Sequence, residues 1–249
     1  LGLTDGQVGI LSGALTFAIA AGSLLAGNIT KLFGLICSFN LMNLMYLIGA
    51  AICVLSGNFP VLLAGLIITG FASGADLPIS LTVISHDAPN EKVSASLIAS
   101  TQVFWQIGVL GSYAMAFIVS HVEGAAGARM VFALLAVLAG IAFVWRTFSK
   151  KFKEFHAAGD EYRAAEGTKT STEVSFASLF KGTDGKKYVS FFSCIIIFYV
   201  CWNLLANTFG QFQTYILVKA NASQSLATGC GIAVSYTHLR AHETVLDLV

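Results

Sequence analysis

Residues 60–84 read PVLLAGLIITGFASGADLPISLTVI, an apolar run with a single charge, Asp76. About 20 such residues in a helix cross the hydrocarbon core of a bilayer. Similar runs lie on both sides, at 7–29, 35–56, 94–120, 128–147 and 190–218, and another starts at Leu226. Helices are the open-chain way to satisfy backbone polar groups in lipid. Six spans and the start of a seventh therefore predict an all-α, polytopic transmembrane helix bundle. Composition agrees, because the 249 residues are 56% hydrophobic and 11% charged, against about a quarter charged in a soluble domain. The natural partner of such a surface is the lipid bilayer. A net charge of +1 gives no basis for nucleic acid binding.

The charges between the runs are unequal. Lys31, Lys92 and the group Arg146, Lys150, Lys151, Lys153, Arg163, Lys169, Lys181, Lys186 and Lys187 fall in every second loop, and the opposite loops hold Arg129 and Lys219. By the positive-inside rule, residues 148–187 are cytoplasmic and Leu1 lies outside. This is the pattern of a multi-pass protein of a bacterial-type inner (plasma) membrane, and one further helix is expected ahead of Leu1. The chain divides into a first half of five spans (1–147), a cytoplasmic inter-half segment (148–187) and the opening of a second half (188–233). The inter-half segment reads equally as short helices or as a disordered linker. Thr4 and Gln7, three apart ahead of the first run, predict a capping box.

Residues 234–249 are set apart. From Leu226 to Val234 the apolar run supports only a short stub, and His238, Arg240, His242, Glu243 and Asp247 follow it. The stretch 234–244 is similar to a translated adapter from sequencing libraries, so the spacing of His238 and His242 is not read as a metal pair. Cys37, Cys53, Cys194, Cys201 and Cys230 all lie in apolar runs without ligand spacing. No metal and no cofactor are expected. An enzyme would need a nucleophile with its base or a phosphate loop, and a channel a ring of pore residues. The sequence offers neither.

Six spans, a long basic loop and further spans resemble the major facilitator superfamily, built from two six-helix halves. Residues 27–34, GNITKLFG, carry the two glycines of its loop signature G-x-x-x-D-R-x-G-R-R, with Lys31 at the acid and Leu32, Leu35 and Ile36 at the arginines. Gly65, Gly70, Gly74, Asp76 and Pro78, followed by Ser85, His86, Asp87, Ala88 and Pro89, are similar to the sugar-porter pattern ending S-E-x-x-P-x-x-x-R-G. Here His86 stands at the Glu, and Val93 and Ser94 at Arg-Gly. The P-E-S-P-R signature is absent. The resemblance implies a monomeric secondary transporter that moves a small polar metabolite (sugar, polyol or organic acid) by alternating access, coupled to protons. The rival readings are a facilitative uniporter of the same solutes and a non-transporting receptor or channel.

Three groups of residues are candidates for the site. In the fourth run, Gln102, Gln106 and Tyr113 share a helix face, with Trp105 beside them; amides in hydrocarbon need partners or a wet cavity. Their order is similar to the sugar-porter helix whose Gln contacts the sugar, and the structural alternative is glue between spans. In the sixth, Asn203, Asn207 and Gln211 repeat every four residues ahead of Thr214 and Tyr215. Amides both donate and accept, which suits a hydroxylated solute. Asp76 is the acid within a full span and the candidate for proton coupling; alternatively it caps a helix restarting beside Pro78. No arginine is expected inside a full span, which favours a neutral solute. The pairs Gly9/Gly13 and Gly70/Gly74 read as tight packing, as do Asn40 and Asn43.

Overall fold

The computed structural model describes residues 2–122, 124–165 and 185–246. Within its helices the side chains of 165, 185–188, 206, 207 and 238–246 are not described. In chain order the helices are α1 (Asp5–Phe33), α2 (Leu35–Leu55), α3 (Phe59–Asp87), α4 (Glu91–Val119), α5 (Ala126–Phe148), α6 (Lys150–Ala165), α7 (Gly185–Lys219) and α8 (Gln224–Leu246). Among the described residues there is no strand, and α1 to α5 and α7 are long and apolar enough to cross a membrane. The chain is thus an all-α, multi-pass membrane bundle.

Local chemistry sets the helix ends. The Gln7 N–H donates to Thr4 Oγ1 (3.3 Å) and the Thr4 N–H to Gln7 Oε1 (3.0 Å), the expected capping box. Asn58 caps α3 through the Val61 N–H (3.0 Å), and Asn90 caps α4 through the Val93 N–H (2.9 Å). Gly34 alone links α1 to α2, at φ 81°, where a side chain would be strained.

α3 is the hub and packs along α1 and α2. Its glycines make this possible: a Cβ on Gly70 would lie 2.8 Å from the Leu15 carbonyl oxygen, and one on Gly74 would collide with the backbone of Ile19. Gly22 of α1 meets Phe71 and Ala75 in the same way, and Gly49 of α2 meets Thr69. Ala26, Phe39, Met42, Ala75, Ile79 and Val83 close the core beside this seam. Pro78 does not break α3. Lacking an N–H, it cannot bond the carbonyl of Gly74, four residues back, and that oxygen instead accepts from Ser23 Oγ of α1 at 2.8 Å. The helix is continuous through Asp76, which overturns the reading of Asp76 as the cap of a restarting segment.

Gly9 and Gly13 carry the same spacing, but an added Cβ on either meets nothing within 4 Å. That pair makes no close packing contact among the described residues, although α7 reaches the same part of α1. Gly74→Ala is therefore expected to cost about 1–3 kcal/mol through forced separation of α1 and α3. Gly13→Ala should be neutral or stabilising by up to about 1 kcal/mol. Melting temperatures in detergent check the contrast.

Outside this core, α5 packs on α2, α4 on α8, α8 on α7, and α6 crosses the end of α3. The first part of the 148–187 segment is thus a single docked helix, and 166–184 lie outside the described residues. α8 also differs from expectation. It runs on to Leu246 instead of stopping near Val234, since 232–246 contain no glycine or proline to end it. The side chains of His238, Arg240, His242 and Glu243, and all of Asp247, lie outside the described residues. Phe17, Leu24, Leu32 and Leu205 are each more than three-quarters exposed, which lipid tails would cover.

Candidate functional site

A chamber of about 670 Å³ lies among α1 to α5. Its wall includes Ser23, Asn43, Tyr46, Asp76, Trp105 and Arg146. Asp76 and Arg146 form an ion pair across it: Arg146 Nη1 donates to Oδ1 at 2.8 Å and Nη2 to Oδ2 at 3.4 Å. The guanidinium also lies 4.0 Å from the centre of the Phe39 ring and donates to the Phe39 carbonyl at 3.3 Å. Planar delocalised charge suits both contacts, the fork on a carboxylate and the stack on an aromatic face. Neither group is fully buried, with 29% of the Asp76 side chain and 21% of that of Arg146 exposed.

Arg146 corrects the expectation that no arginine lies inside a span. α5 extends to Phe148, so Arg146 sits in its last turn, and its side chain reaches back into the bundle instead of out to the loop. The available signal was Asp76 itself, because an acid at membrane depth calls for a partner. Asn43 was read as packing only. It is buried in the chamber wall, and its Nδ2, like Ser80 Oγ, has no hydrogen-bond partner among the described residues.

The α4 stripe is split up. Of the α4 group, Trp105 lines the chamber, while Gln102, Gln106 and Tyr113 are outside its wall. The Tyr113 ring lies against Gly231 of α8, and Gln106, seven residues earlier on the same face, is buried. Gln102 is exposed. On α7, Asn203 Nδ2 donates to the Tyr199 carbonyl one turn back (2.8 Å). The side chain of Asn207 lies outside the described residues. Gln211 links α7 to α1: its Oε1 accepts from Ser12 Oγ at 2.9 Å and its Nε2 donates to Thr16 Oγ1 at 3.0 Å. Two turns further along α7, Lys219 Nζ pairs with Asp5 at 3.0 Å and lies 5.5 Å from the centre of the Tyr215 ring. Ser12 and Thr16, four apart on one face of α1, are the matching half of the Gln211 site. Gln213, buried on α7, was also missed, since it falls off the four-residue repeat.

Residues 3–236 match the family described as sugar (and other) transporters. Among curated proteins, the minor myo-inositol transporter IolF of Bacillus subtilis (strain 168) is 30% identical over 250 positions, covering 95% of this chain and 56% of the relative. The D-xylose-proton symporter-like 2 of Arabidopsis thaliana is 26% identical over 153 residues, 60% of this chain and 30% of its own. The probable polyol transporter 6 of the same plant is 26% identical over 133 residues, 53% of this chain and 27% of its own. The chain thus spans about half the length, or less, of the curated relatives it matches. No solved structure matches it.

Proposed function

Because the chain belongs to the family of sugar and other transporters, we propose that it carries a neutral polyol or sugar across the membrane by alternating access, with a proton bound at Asp76 as the coupled ion. The observation that carries the proposal is the Asp76–Arg146 pair in the chamber wall. A carboxylate there is held by one guanidinium, and protonation of Asp76 would release Arg146 to its other partners, the Phe39 carbonyl and ring. A pair with two arrangements can be biased by both proton and solute, which coupling requires. While Arg146 is paired with Asp76, the wall formed by the described residues carries no unpaired cation, and in that state an uncharged, hydroxylated solute fits better than an organic anion. The names of the relatives point the same way, to myo-inositol, D-xylose and polyols.

Gln211, which lies outside the wall of the Asp76 chamber and faces Ser12 and Thr16 of α1, is the proposed solute contact on α7. Its amide already exchanges hydrogen bonds with two hydroxyls, those of Ser12 and Thr16, and a polyol presents the same groups at similar spacing. Trp105 supplies an apolar face beside Asp76 for the carbon side of the ring. Counterflow of labelled myo-inositol in vesicles, using the full-length product of the gene, tests the proposal. Saturable counterflow is expected, and Gln211→Ala should weaken solute affinity by about two- to ten-fold, the loss of one ordinary hydrogen bond or so. Affinity unchanged in Gln211→Ala would remove this residue from the site.

The proposed orientation places the end of α3, α6 and residues 148–187 in the cytoplasm, following the basic residues named above. A cysteine placed at Gly167 should react with an impermeant reagent only from the cytoplasmic side. Reaction from outside in intact cells would reverse the orientation.

A further inference from the structure

His86 and Asp87, the last two residues of α3, meet α6 in a cluster that the transport reading does not use. Asp87 holds an imidazole on each oxygen: His86 Nδ1 lies 2.9 Å from Oδ1 and His156 Nδ1 lies 2.6 Å from Oδ2. The second nitrogen of His86, Nε2, lies 3.2 Å from Oδ1 of Asp160. A neutral imidazole has one N–H and one lone pair. With a carboxylate oxygen against each nitrogen, His86 satisfies both contacts only as an imidazolium, with an N–H on each side. In the neutral form, one carboxylate faces a lone pair.

The rest of the seam is fitted to this arrangement. His156, Asp160 and Arg163 recur at helical spacing on one face of α6, and Arg163 donates to the Ser85 carbonyl at 3.0 Å. Gly159 opens room for the ring: a Cβ there would lie 2.8 Å from both Nδ1 and the carbonyl oxygen of His86. His156 stands edge-on to Phe39 of α2, with ring centres 6.4 Å apart and planes at 87°. The charged groups around the cluster come from several elements. α6 supplies Asp160 and Arg163. Glu91 of α4 lines a cleft of about 380 Å³ with Ser85 and Arg163. Arg146 of α5 lies over the Phe39 ring, which His156 meets edge-on.

We propose that this cluster is a proton-dependent latch, which holds α6 on the end of α3 while His86 is an imidazolium and loosens when His86 becomes neutral. The latch therefore tightens on protonation of His86, the form that its two carboxylate contacts require. α6 opens the segment that leads on to α7, and the latch therefore sets how firmly that segment is tied to the hub helix. The latch goes beyond the transport reading and would operate even in a protein that moved nothing.

The test is a distance measurement. Spin labels are attached through a keto amino acid at the exposed positions Lys92 and Ala157, which leaves the native cysteines in place, and pulsed EPR is recorded in lipid nanodiscs. At about pH 6 one narrow distance is expected, and at about pH 8 the share of a longer distance should rise about two- to five-fold, the scale of one partly exposed ion pair. His86→Gln should show the high-pH pattern at both pH values. Asp160 is 77% exposed, so Asp160→Asn should fold normally and still lose much of the pH response. Identical distributions at both pH values in the unsubstituted protein would overturn the latch, and so would a full pH response retained in both variants.

Discussion

Arg146→Leu is expected to lower the yield of folded protein sharply, and Asp76→Leu added to it should restore most of that yield. The single change removes the guanidinium that holds both Asp76 oxygens and leaves a carboxylate at membrane depth without its partner. Removing one member of such a pair costs about 3–5 kcal/mol, enough to offset a large part of a typical folding free energy of about 5–15 kcal/mol. Replacing both members with apolar residues removes the unpaired charge and keeps the packing volume, which is often neutral or stabilising. Thermal unfolding in detergent reads the effect. Equal loss in the single and double variants would mean that Arg146 acts by its stack on Phe39 and not by its charge.

Asp76→Asn is expected to abolish accumulation of solute against a gradient while exchange across the membrane survives. Asparagine keeps the shape and an acceptor oxygen for Arg146 but cannot take up a proton. Binding of solute would then continue without the ion that drives it uphill. Parallel measurements of net uptake and of exchange in vesicles separate these outcomes. Unchanged accumulation in Asp76→Asn would assign the pair a purely structural role.

The spans were legible in the sequence because the bilayer imposes one simple demand, about 20 apolar residues per crossing, and runs such as 60–84 meet it visibly. Cap chemistry was equally local, and Thr4 with Gln7 needed only its own turn. The site was harder, because it depends on which helix lies opposite. Gly70/Gly74 and Gly9/Gly13 share a motif, yet only at the first pair does a neighbouring backbone come close enough to need glycine. The face with Gln106 and Tyr113 was expected to open on a cavity, but α8 covers Tyr113, and Trp105, one residue before Gln106, lines the chamber. Arg146 was counted with the loop although it falls at the end of the run 128–147, because hydropathy does not show that the side chain of a terminal residue turns back to Asp76. His86 was noted only as a departure from a motif. Its meaning depends on Asp160, more than 70 positions away in sequence, which no local pattern connects to it.

The most direct measurement of the central proposal is uptake of labelled myo-inositol into proteoliposomes that hold the full-length product of the gene, under an imposed inward proton gradient. The account predicts saturable accumulation above the outside concentration, which collapses when a protonophore is added and is absent with Asp76→Asn. Flux of myo-inositol, D-xylose and other polyols no faster than in protein-free vesicles, with correctly folded protein present, would contradict it.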